Sequence, residues 1–328
     1  MIGALRKSAL AGPAIALAVL FIASAIWKPD LFLAPENLRN IINQNASVGI
    51  LAVGMTLVIL AGGIDLSVGS MMALLGVVAM KAMNDRGGDG AVWVAAAISL
   101  GFGATLGVVN GVLITAGRMA PFIATLAGLV AFRSIALGMA DGGEIRAAVA
   151  GYRFLGQEGI ALTFLRDGGG RPLVLQWPIF LFILVACAVG WLIQSTPFGR
   201  HTVAVGANEQ AARYSAIPVD RVKIATYAIL GLCAGLATLC GTSRTESVTS
   251  GNFGLYRELD AIAAVVIGGA RLSGGYARVT GTVIGVLMLG IIDNILVTSG
   301  VSTYWQGCVK GVIILVAVLI QRGRAAGG

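Results

Sequence analysis

The sequence predicts an all-α integral membrane protein with about ten transmembrane helices and a half-helix or re-entrant segment near residues 261–270. Hydrophobic residues make up 57% of the 328 residues and charged residues only 12%, about half the charged share of a soluble domain. The 47 glycines are typical of membrane helices, whose backbones pack closely through small residues. We therefore expect residues 1–328 to form a single transmembrane domain in the lipid bilayer, without a soluble domain.

Uncharged runs, and the prolines and charges that separate them, place the spans. At about 20 residues a span, the chain accommodates roughly ten crossings. The expected segments, in chain order, are residues 8–27, 46–61, 66–80, 90–117, 121–139, 172–199, 224–243, 261–270, 279–298 and 304–320. Residues 6–7, an apolar run and Ala23-Ser24-Ala25 also fit a cleaved leader, but the spans that follow favour an uncleaved first helix.

The segment at 261–270 is too short to cross a membrane as a straight helix. Only ten apolar residues lie between Asp260 and Arg271, so we expect them to be buried in protein, where irregular backbone is tolerated. The residues that follow, 268–275, match residues 62–69 at five of eight positions. An internal sequence repeat of this kind is typical of transporters built from two related halves. In a chain rich in glycine, chance also produces such a match.

Two stretches between the spans are more polar than the rest of the chain. Residues 141–171 mix acidic and basic residues with glycines, and we expect an extracytoplasmic loop that is partly ordered helix. Residues 196–223 carry several basic residues, and the bias of Lys and Arg places this loop and both chain termini in the cytoplasm. This orientation explains the net charge of +8, so nucleic acid is not expected as a partner.

Asp65 is the only charged residue between Asn40 and Met80. A carboxylate at that depth is costly in lipid and normally faces protein or water. Gly62-Gly63 can end one helix, and Asp65 or Ser67 can cap the next. Two interpretations stay open: Asp65 is a helix cap, or it lines a path through the membrane.

Other polar residues also fall within the expected spans. Arg133, Asp293 and Lys310 are charged, and they either pair with one another to hold the bundle together or line a path. Neutral amides and hydroxyls would suit a neutral hydroxylated solute better than an ion. The candidates for a translocation path or a helix break are Asn45, Asp65, Ser67, Arg133, Asn294 and Gln306.

The sequence carries no pattern typical of an enzyme or a metal site. There is no Walker A sequence, no Gly-x-Ser-x-Gly and no zinc-binding helix. The four cysteines lie in apolar runs, and His201 is the only histidine, so neither a disulfide framework nor a metal site is predicted. We expect no catalytic residues and no cofactor in this chain.

Residues 208–214 have the pattern of a short helix in the cytoplasmic loop. Asn208 is typical of an N-cap, Glu209 and Gln210 suit the first turn, and Ala211-Ala212 form a small apolar face. This helix is either a solvated loop helix or a docking element for another protein. In the second case Arg213 and Arg221 would reach acidic residues of the partner.

Several motifs together resemble the ribose-type permease subunit of bacterial sugar ABC importers. The resemblance extends from about residue 36 to the C-terminus. Its motifs are residues 45–60 (NASVGILAVGMTLVIL), 62–70 (GGIDLSVGS), 110–111 (NG), 121–126 (PFIATL), 196–200 (TPFGR), 205–212 (VGANEQAA) and 258–269 (ELDAIAAVVIGG).

The resemblance implies a permease dimer, homo- or heterodimeric, in the bacterial cytoplasmic (inner) membrane. Two ABC ATPase subunits would bind ATP and Mg on the cytoplasmic face, and a periplasmic or lipid-anchored solute-binding protein would deliver a sugar-like substrate. Residues 196–223 would then be the ATPase-docking loop, with 208–214 as its coupling helix. The coupling candidates are Gly199, Arg200, Gly206, Asn208, Glu209, Ala211, Ala212 and Arg213.

The chain departs from the family pattern at three places, which bear on the choice of substrate. They are Ala270-Arg271, residues 276–278, and Asp293 beside Asn294. The alternative function is a self-sufficient secondary transporter or channel for a small neutral solute. That function calls for paired membrane carboxylates, for which Asp65 and Asp293 are the only candidates.

Overall fold

The computed structural model of the chain describes residues 10–166, 170–302, 305–313 and 315. Most of these residues are helical. The helices are α1 (Ala11–Trp27), α2 (Pro29–Phe32), α3 (Pro35–Leu60), α4 (Val68–Arg86), α5 (Ala91–Thr115), α6 (Pro121–Met139), α7 (Phe154–Gln157), α8 (Trp177–Ser195), α9 (Pro197–Ala207), α10 (Glu209–Tyr214), α11 (Val219–Thr245), α12 (Arg257–Ile267) and α13 (Val279–Thr298). The strands are β1 (Glu144–Arg146), β2 (Gly159–Arg166), β3 (Pro172–Gln176) and β4 (Ser247–Thr249).

The expected helical membrane protein is confirmed, but the count of about ten spans is not. Among the described residues, six helices are long and apolar enough to cross a membrane: α3, α5, α6, α8, α11 and α13. The helix α1 is shorter, α4 ends in the polar run 81–86, and α12 has 11 residues. The chain termini and parts of the first and last expected spans, residues 1–9 and 316–328, lie outside the described residues.

Helix α3 is the centre of the bundle. Every residue from Val48 to Leu60 is buried, as expected of a helix that is apolar all round. The most apolar part of α3 is 83% buried, whereas that of α6 is 22% buried. The helices α8, α11, α12 and α13 all pack on α3, so α3 is enclosed by protein while α6 leaves most of its surface for lipid or another chain.

The stretch 141–171 contains the short helix α7 and also the strands β1 and β2. Strand β1 pairs antiparallel with β4, and β2 pairs antiparallel with β3. The sequence did not indicate the two strands, because each depends on a partner outside that stretch. Strand β4 lies about a hundred residues away, and β3 takes residues that looked like the start of the sixth span, which begins at Trp177 instead of Pro172.

Two helices end at a glycine inside the bundle, and they end in the same way. After α3, Gly62 adopts φ 81° and Gly63 N–H donates to Val58 O at 2.9 Å. After α12, Gly269 adopts φ 94° and Ala270 N–H donates to Val265 O at 3.2 Å. Both are glycine C-caps in which a left-handed residue lets the chain turn back on the helix. In the structure Gly62 corresponds to Gly269, whereas the sequence repeat aligned Gly62 with Gly268, so the two alignments differ by one residue.

The expected half-helix is present as α12. Its 11 residues cover about 16 Å at the rise of an α-helix, roughly half of a hydrocarbon core about 30 Å thick. It begins at Arg257, four residues before the predicted start, because Glu258 and Asp260 also belong to the helix and are buried. The sequence-based boundary had treated these charges as the end of the apolar segment.

Candidate functional site

The break between α3 and α4 is closed by a buried polar cluster around Asp65. Asp65 Oδ1 accepts hydrogen bonds from Ser67 N–H at 2.7 Å and from Ser67 Oγ at 2.6 Å. Asp65 Oδ2 accepts from Asn110 Nδ2 of α5 at 3.1 Å, and the same amide donates to Ser67 Oγ at 2.8 Å. Asp65, Ser67 and Asn110 are all buried. The carboxylate therefore ties the start of α4 to the middle of the bundle.

The hydrogen bonds and burial of Asp65 fit neither interpretation, a helix cap or a residue lining a path, completely. An N-cap side chain bonds to N–H groups of the first helical turn, whereas Asp65 bonds to Ser67, which precedes α4 and is itself its N-cap residue. A carboxylate lining a path is open to water, whereas Asp65 is 1% exposed in the single chain. Asp65 forms an Asx-type turn and an inter-helix bond, and Asn110 is the partner that the sequence had not assigned to it.

Arg133 on α6 holds the irregular segment that leads into α12. Its Nη1 donates to three backbone carbonyls, Ser250 O at 3.0 Å, Gly251 O at 3.3 Å and Phe253 O at 2.8 Å. These carbonyls belong to no helix or strand ladder, and in a membrane each needs a donor. The guanidinium faces protein, as predicted for an intramembrane charge, but its hydrogen-bond partners are backbone atoms.

A second cluster of charges joins α12, α13 and the helical residues 305–313. Lys310 Nζ lies 3.1 Å from Asp260 Oδ1 and 3.0 Å from Asp293 Oδ2. Arg257 Nη1 lies 3.1 Å from Asp260 Oδ2. For Lys310 and Asp293 the structure therefore supports pairing within the bundle. Asp260 and Arg257, at the half-helix, were not among the sequence candidates.

The remaining path candidates lie apart from Asp65. Asn294 exchanges hydrogen bonds with Asn37, at 2.6 and 3.2 Å. Asn45 donates to Ile41 O at 2.8 Å within its own helix, and Gln306 donates to Val301 O at 3.0 Å. Within the described residues, no hydrogen bond joins these side chains to the Asp65 cluster.

The loop 196–223 contains α10, which the pattern of residues 208–214 predicted, and also α9, which the sequence analysis did not predict. Asn208 Oδ1 accepts from Ala211 N–H at 3.0 Å and Thr196 Oγ accepts from Gly199 N–H at 3.3 Å, so each helix starts with a side-chain N-cap. Arg200 lies in α9 on the exposed side. The N-cap of α10 is the one that the sequence assigned to Asn208.

Ion pairs inside the loop use the charges that the sequence had reserved for a partner. Arg213 lies 3.0 Å from Glu209 and 2.7 Å from Asp220, and Lys223 lies 2.6 Å from Glu209. Partial burial alone would raise the pKa of Glu209, but hydrogen bonds from Lys223 and Arg213 outweigh it and hold that pKa below its ordinary value. Arg213 therefore fixes α10 to the start of α11.

Ala212 does not belong to an outward face of α10, and that expectation was wrong. Ala212 is 4% exposed and packs with Val205, Val219 and Val222 in a small core of the loop. Successive residues of a helix point about 100° apart, so residues 211 and 212 face different surroundings. The outward side carries Ala211 and Tyr214, and Tyr214 is 91% exposed.

Three glycines join the 196–223 loop to the two helix ends. A Cβ added at Gly206, near the end of α9, would overlap Leu60 O. A Cβ at Gly274 would lie 2.7 Å from Gly206 O and 2.8 Å from Gly62 Cα. Gly275 N–H donates to Leu60 O at 3.0 Å. We call Gly62, Gly206 and Gly274 the glycine junction; it puts the backbone of α9 in direct contact with the ends of α3 and of the segment after α12.

The helices are interrupted inside the bundle, polar and charged side chains close the interruptions, and an ordered loop contacts the helix ends. These features are those of a polytopic membrane transport protein. The chain matches the family "Branched-chain amino acid transport system / permease component" over residues 37–318. It therefore belongs to this family of transport permease components, whose members are not enzymes.

Similar proteins of known name are sugar permeases. The chain is 44% identical over 317 residues to the ribose import permease protein RbsC of Bacillus subtilis, covering 96% of this chain and 93% of that protein. It is 41% identical to RbsC of Escherichia coli K12, covering 94% and 92%. The xylose transport system permease protein XylH of Escherichia coli K12 is 34% identical, covering 89% and 86%. No solved structure matches the chain.

The first prediction separates the structural parts of the Asp65 cluster. Asp65→Ala leaves Ser67 N–H and the Ser67 hydroxyl buried without the acceptor they share, at about 1–3 kcal/mol each, and Asn110 keeps only its bond to Ser67 Oγ, so we expect a lower melting temperature and less protein in the membrane. Asp65→Asn keeps an acceptor for Ser67, and Asn110 Oδ1, which has no partner among the described residues, can turn to accept from the new amide. We expect the Asp65→Asn variant to stay near wild-type stability in detergent melts; equal loss in both variants would contradict the assignment.

The second prediction concerns Arg133. Arg133→Leu removes the donor of three backbone carbonyls, and hydrogen bonds to a charged group contribute about 1.5–3 kcal/mol each. We expect a lower melting temperature in detergent and at least a tenfold loss of uptake. Arg166→Leu is the matched control, because Arg166 bonds to Gly170 O on the exposed β2–β3 hairpin. Wild-type uptake in Arg133→Leu would refute the role.

The third prediction tests the glycine junction. Gly206→Ala forces Leu60 O and α9 apart, so we expect strongly reduced uptake in protein that still inserts into the membrane. Gly190→Ala is the control, because the nearest atom to a Cβ there is Val279 Cβ at 3.9 Å. Uptake assays and membrane quantification of both variants check this, and normal uptake in Gly206→Ala would show that the close contact is dispensable.

Proposed function

We propose that this chain is the membrane-spanning permease subunit of an ATP-driven, binding-protein-dependent importer of a monosaccharide or similar small polyol. The observation that carries the proposal is the 44% identity to a ribose import permease over 96% of the chain. A xylose permease is also similar over most of the chain. Two different pentose permeases among the relatives support a monosaccharide as the substrate class.

The proposal includes the partners and the membrane arrangement of such importers. A second permease subunit would complete the translocation path, two ABC ATPase subunits would bind ATP and Mg, and a periplasmic or lipid-anchored protein would deliver the sugar. We place the chain in the bacterial cytoplasmic membrane with about ten spans, both termini and the 196–223 loop in the cytoplasm, and the 141–171 loop outside. Among the described residues, no cluster of His, Cys, Asp or Glu could hold a metal ion.

The charges in the membrane favour this proposal over a self-sufficient secondary transporter. Such a transporter needs carboxylates that gain and lose a proton or bind a cation. Asp293 is paired with Lys310, and Asp65 is enclosed by Ser67 and Asn110. The two carboxylates do not form a pair, so their arrangement fits structural roles beside a path for a neutral solute.

The cytoplasmic loop supports docking of an ATPase subunit. Helix α10 is short, is anchored by Glu209 and Arg213 ion pairs on its own chain, and presents Tyr214 and Ala211 outward. An exposed tyrosine next to small residues is a typical anchor of a protein interface. The glycine junction then connects α9, directly before this helix, to the ends of the membrane helices. We propose that motion of the docked ATPase reaches the membrane helices through that contact.

The function itself is tested by uptake into sealed membrane vesicles or proteoliposomes. Labelled ribose or xylose is supplied with the binding protein, and the chain is reconstituted together with the ATPase that copurifies with it. We expect uptake that requires ATP inside and persists in the presence of a proton ionophore. Uptake that continues without ATP and collapses with the ionophore would replace the proposal with the secondary-transporter alternative.

Tyr214 is exposed on α10, whereas Ala212 is buried, so Tyr214 is the residue to change in a test of docking. Tyr214→Ala removes a surface aromatic anchor, whose truncation costs about 2 kcal/mol or more at interface hot spots, or roughly a 30-fold loss of affinity. We expect a comparable loss of ATPase copurification while the membrane content of the subunit stays unchanged. The control is Phe164→Ala, another strongly exposed aromatic, on the outer hairpin. Retained copurification in Tyr214→Ala would move the docking site elsewhere on this face.

A further inference from the structure

The half-helix α12 starts inside the membrane. The turn that follows its C-terminal end reaches the level where α3 ends, because Gly275 N–H donates to Leu60 O and a Cβ at Gly274 would lie 2.8 Å from Gly62 Cα. From that level α12 rises by about 16 Å, roughly half of the hydrocarbon thickness. The residues that precede Arg257 therefore lie near the middle of the bilayer.

The backbone before α12 is irregular at that depth. Residues 250–256 are turns, and Gly254 adopts φ 75°. A Cβ at Gly254 would overlap Gly69 O in the first turn of α4, so the starts of two interrupted helices meet here. Arg133 satisfies three carbonyls of this segment from one side. That side of the segment is thus occupied by protein.

The opposite side of the segment is open. Leu255, Tyr256 and Leu259 are exposed in the single chain, and Tyr256 is 61% exposed. We call these three residues the Tyr256 face. Irregular backbone at membrane depth does not face lipid; it is buried in protein or lines a water-filled cavity. The Tyr256 face is not covered by the described part of its own chain, so either the second permease subunit or an aqueous path lies against it.

Tyr256 also has a backbone conformation that a bulky residue adopts only at a cost. Its φ is 62°, in the left-handed region that is a genuine outlier for side chains of this size. Strain of this kind is kept where surrounding structure enforces it, and it concentrates at functional positions. Glycine would adopt this φ without strain, so the tyrosine side chain is present here at a cost in backbone energy.

We propose that the Tyr256 face lines the sugar path and that the Tyr256 ring contacts the passing monosaccharide. The inference rests on the proposed function for the identity of the solute. An aromatic ring packs against the apolar C–H face of a sugar, and a few polar groups nearby fix its hydroxyls, as in small-molecule sites generally. Arg257, paired with Asp260 and 39% exposed at its side chain, supplies such a polar group next to the ring.

Cysteine labelling tests whether the Tyr256 face meets water. The exposed Cys187 and Cys308 are first replaced by Ser, and Tyr256→Cys or Leu184→Cys is then added. Leu184 on α8 is the matched control, because it is 63% exposed on a regular helix. A charged methanethiosulfonate reagent reacts with the thiolate, which forms in water. The complete transporter, with its ATPase, is used in membrane vesicles.

We expect labelling at position 256 at least about 100-fold faster than at position 184, since the thiolate fraction collapses in an apolar environment. Leu259→Cys gives the same readout if Tyr256→Cys does not assemble. Equal, slow labelling at 184 and at both 256 and 259 would overturn the proposal. Labelling does not require transport, so it is independent of whether wild-type vesicles import a monosaccharide, which tests the proposed function separately.

A second measurement assigns the contact to the ring. Tyr256→Phe keeps the aromatic face, and we expect it to retain uptake within about twofold of wild type. Tyr256→Ala should reduce sugar transported per ATP hydrolysed by roughly tenfold while ATPase copurification is unchanged. If Phe and Ala behave alike, or if Ala transports normally, the ring does not contact the substrate.

Discussion

Backbone groups at helix breaks inside the membrane must find hydrogen-bond partners within the protein, and this constraint organises the structure. Lipid offers no donor or acceptor, so each unsatisfied group costs several kcal/mol. The break after α3 is closed by Asp65, Ser67 and Asn110, and the segment before α12 is closed by Arg133. Asp65 and Arg133, whose charges are costly in a membrane, are therefore the side chains that make the discontinuous helices possible.

The two breaks also connect the helix bundle to the 196–223 loop. The starts of α4 and α12 touch through Gly69 and Gly254, and the ends of α3 and α12 approach α9 through the glycine junction. Backbone in direct contact with backbone transmits displacement without the slack of long side chains. These contacts join the loop that carries Tyr214 to the turn after α12, and α12 itself joins that turn to Tyr256.

The sequence predicted the helical membrane fold, the break at Gly62-Gly63, the half-helix and the N-cap at Asn208, because each has a local signature in charge, glycine or capping residues. It could not supply the partners. Asn110 is 45 positions from Asp65 and the carbonyls bound by Arg133 lie more than 110 positions away, so only the tertiary fold shows them. The expectation for Ala212 was wrong for a different reason. A small apolar residue in a short helix can face either solvent or protein, and Ala212 faces protein because it packs on Val205 and Val222.

The central claim is that α4 and α12 both begin inside the bilayer, with their first residues in contact. Cryo-electron microscopy of the assembled transporter in lipid nanodiscs measures this directly, because the lipid density defines the depth of each residue. The account predicts that residues 65–69 and 250–256 are non-helical or first-turn residues within the lipid thickness, with Gly69 and Gly254 in backbone contact and Tyr256 facing a solvent-filled space. A continuous helix through residues 247–267, or residues 250–256 at the outer membrane surface, would contradict it.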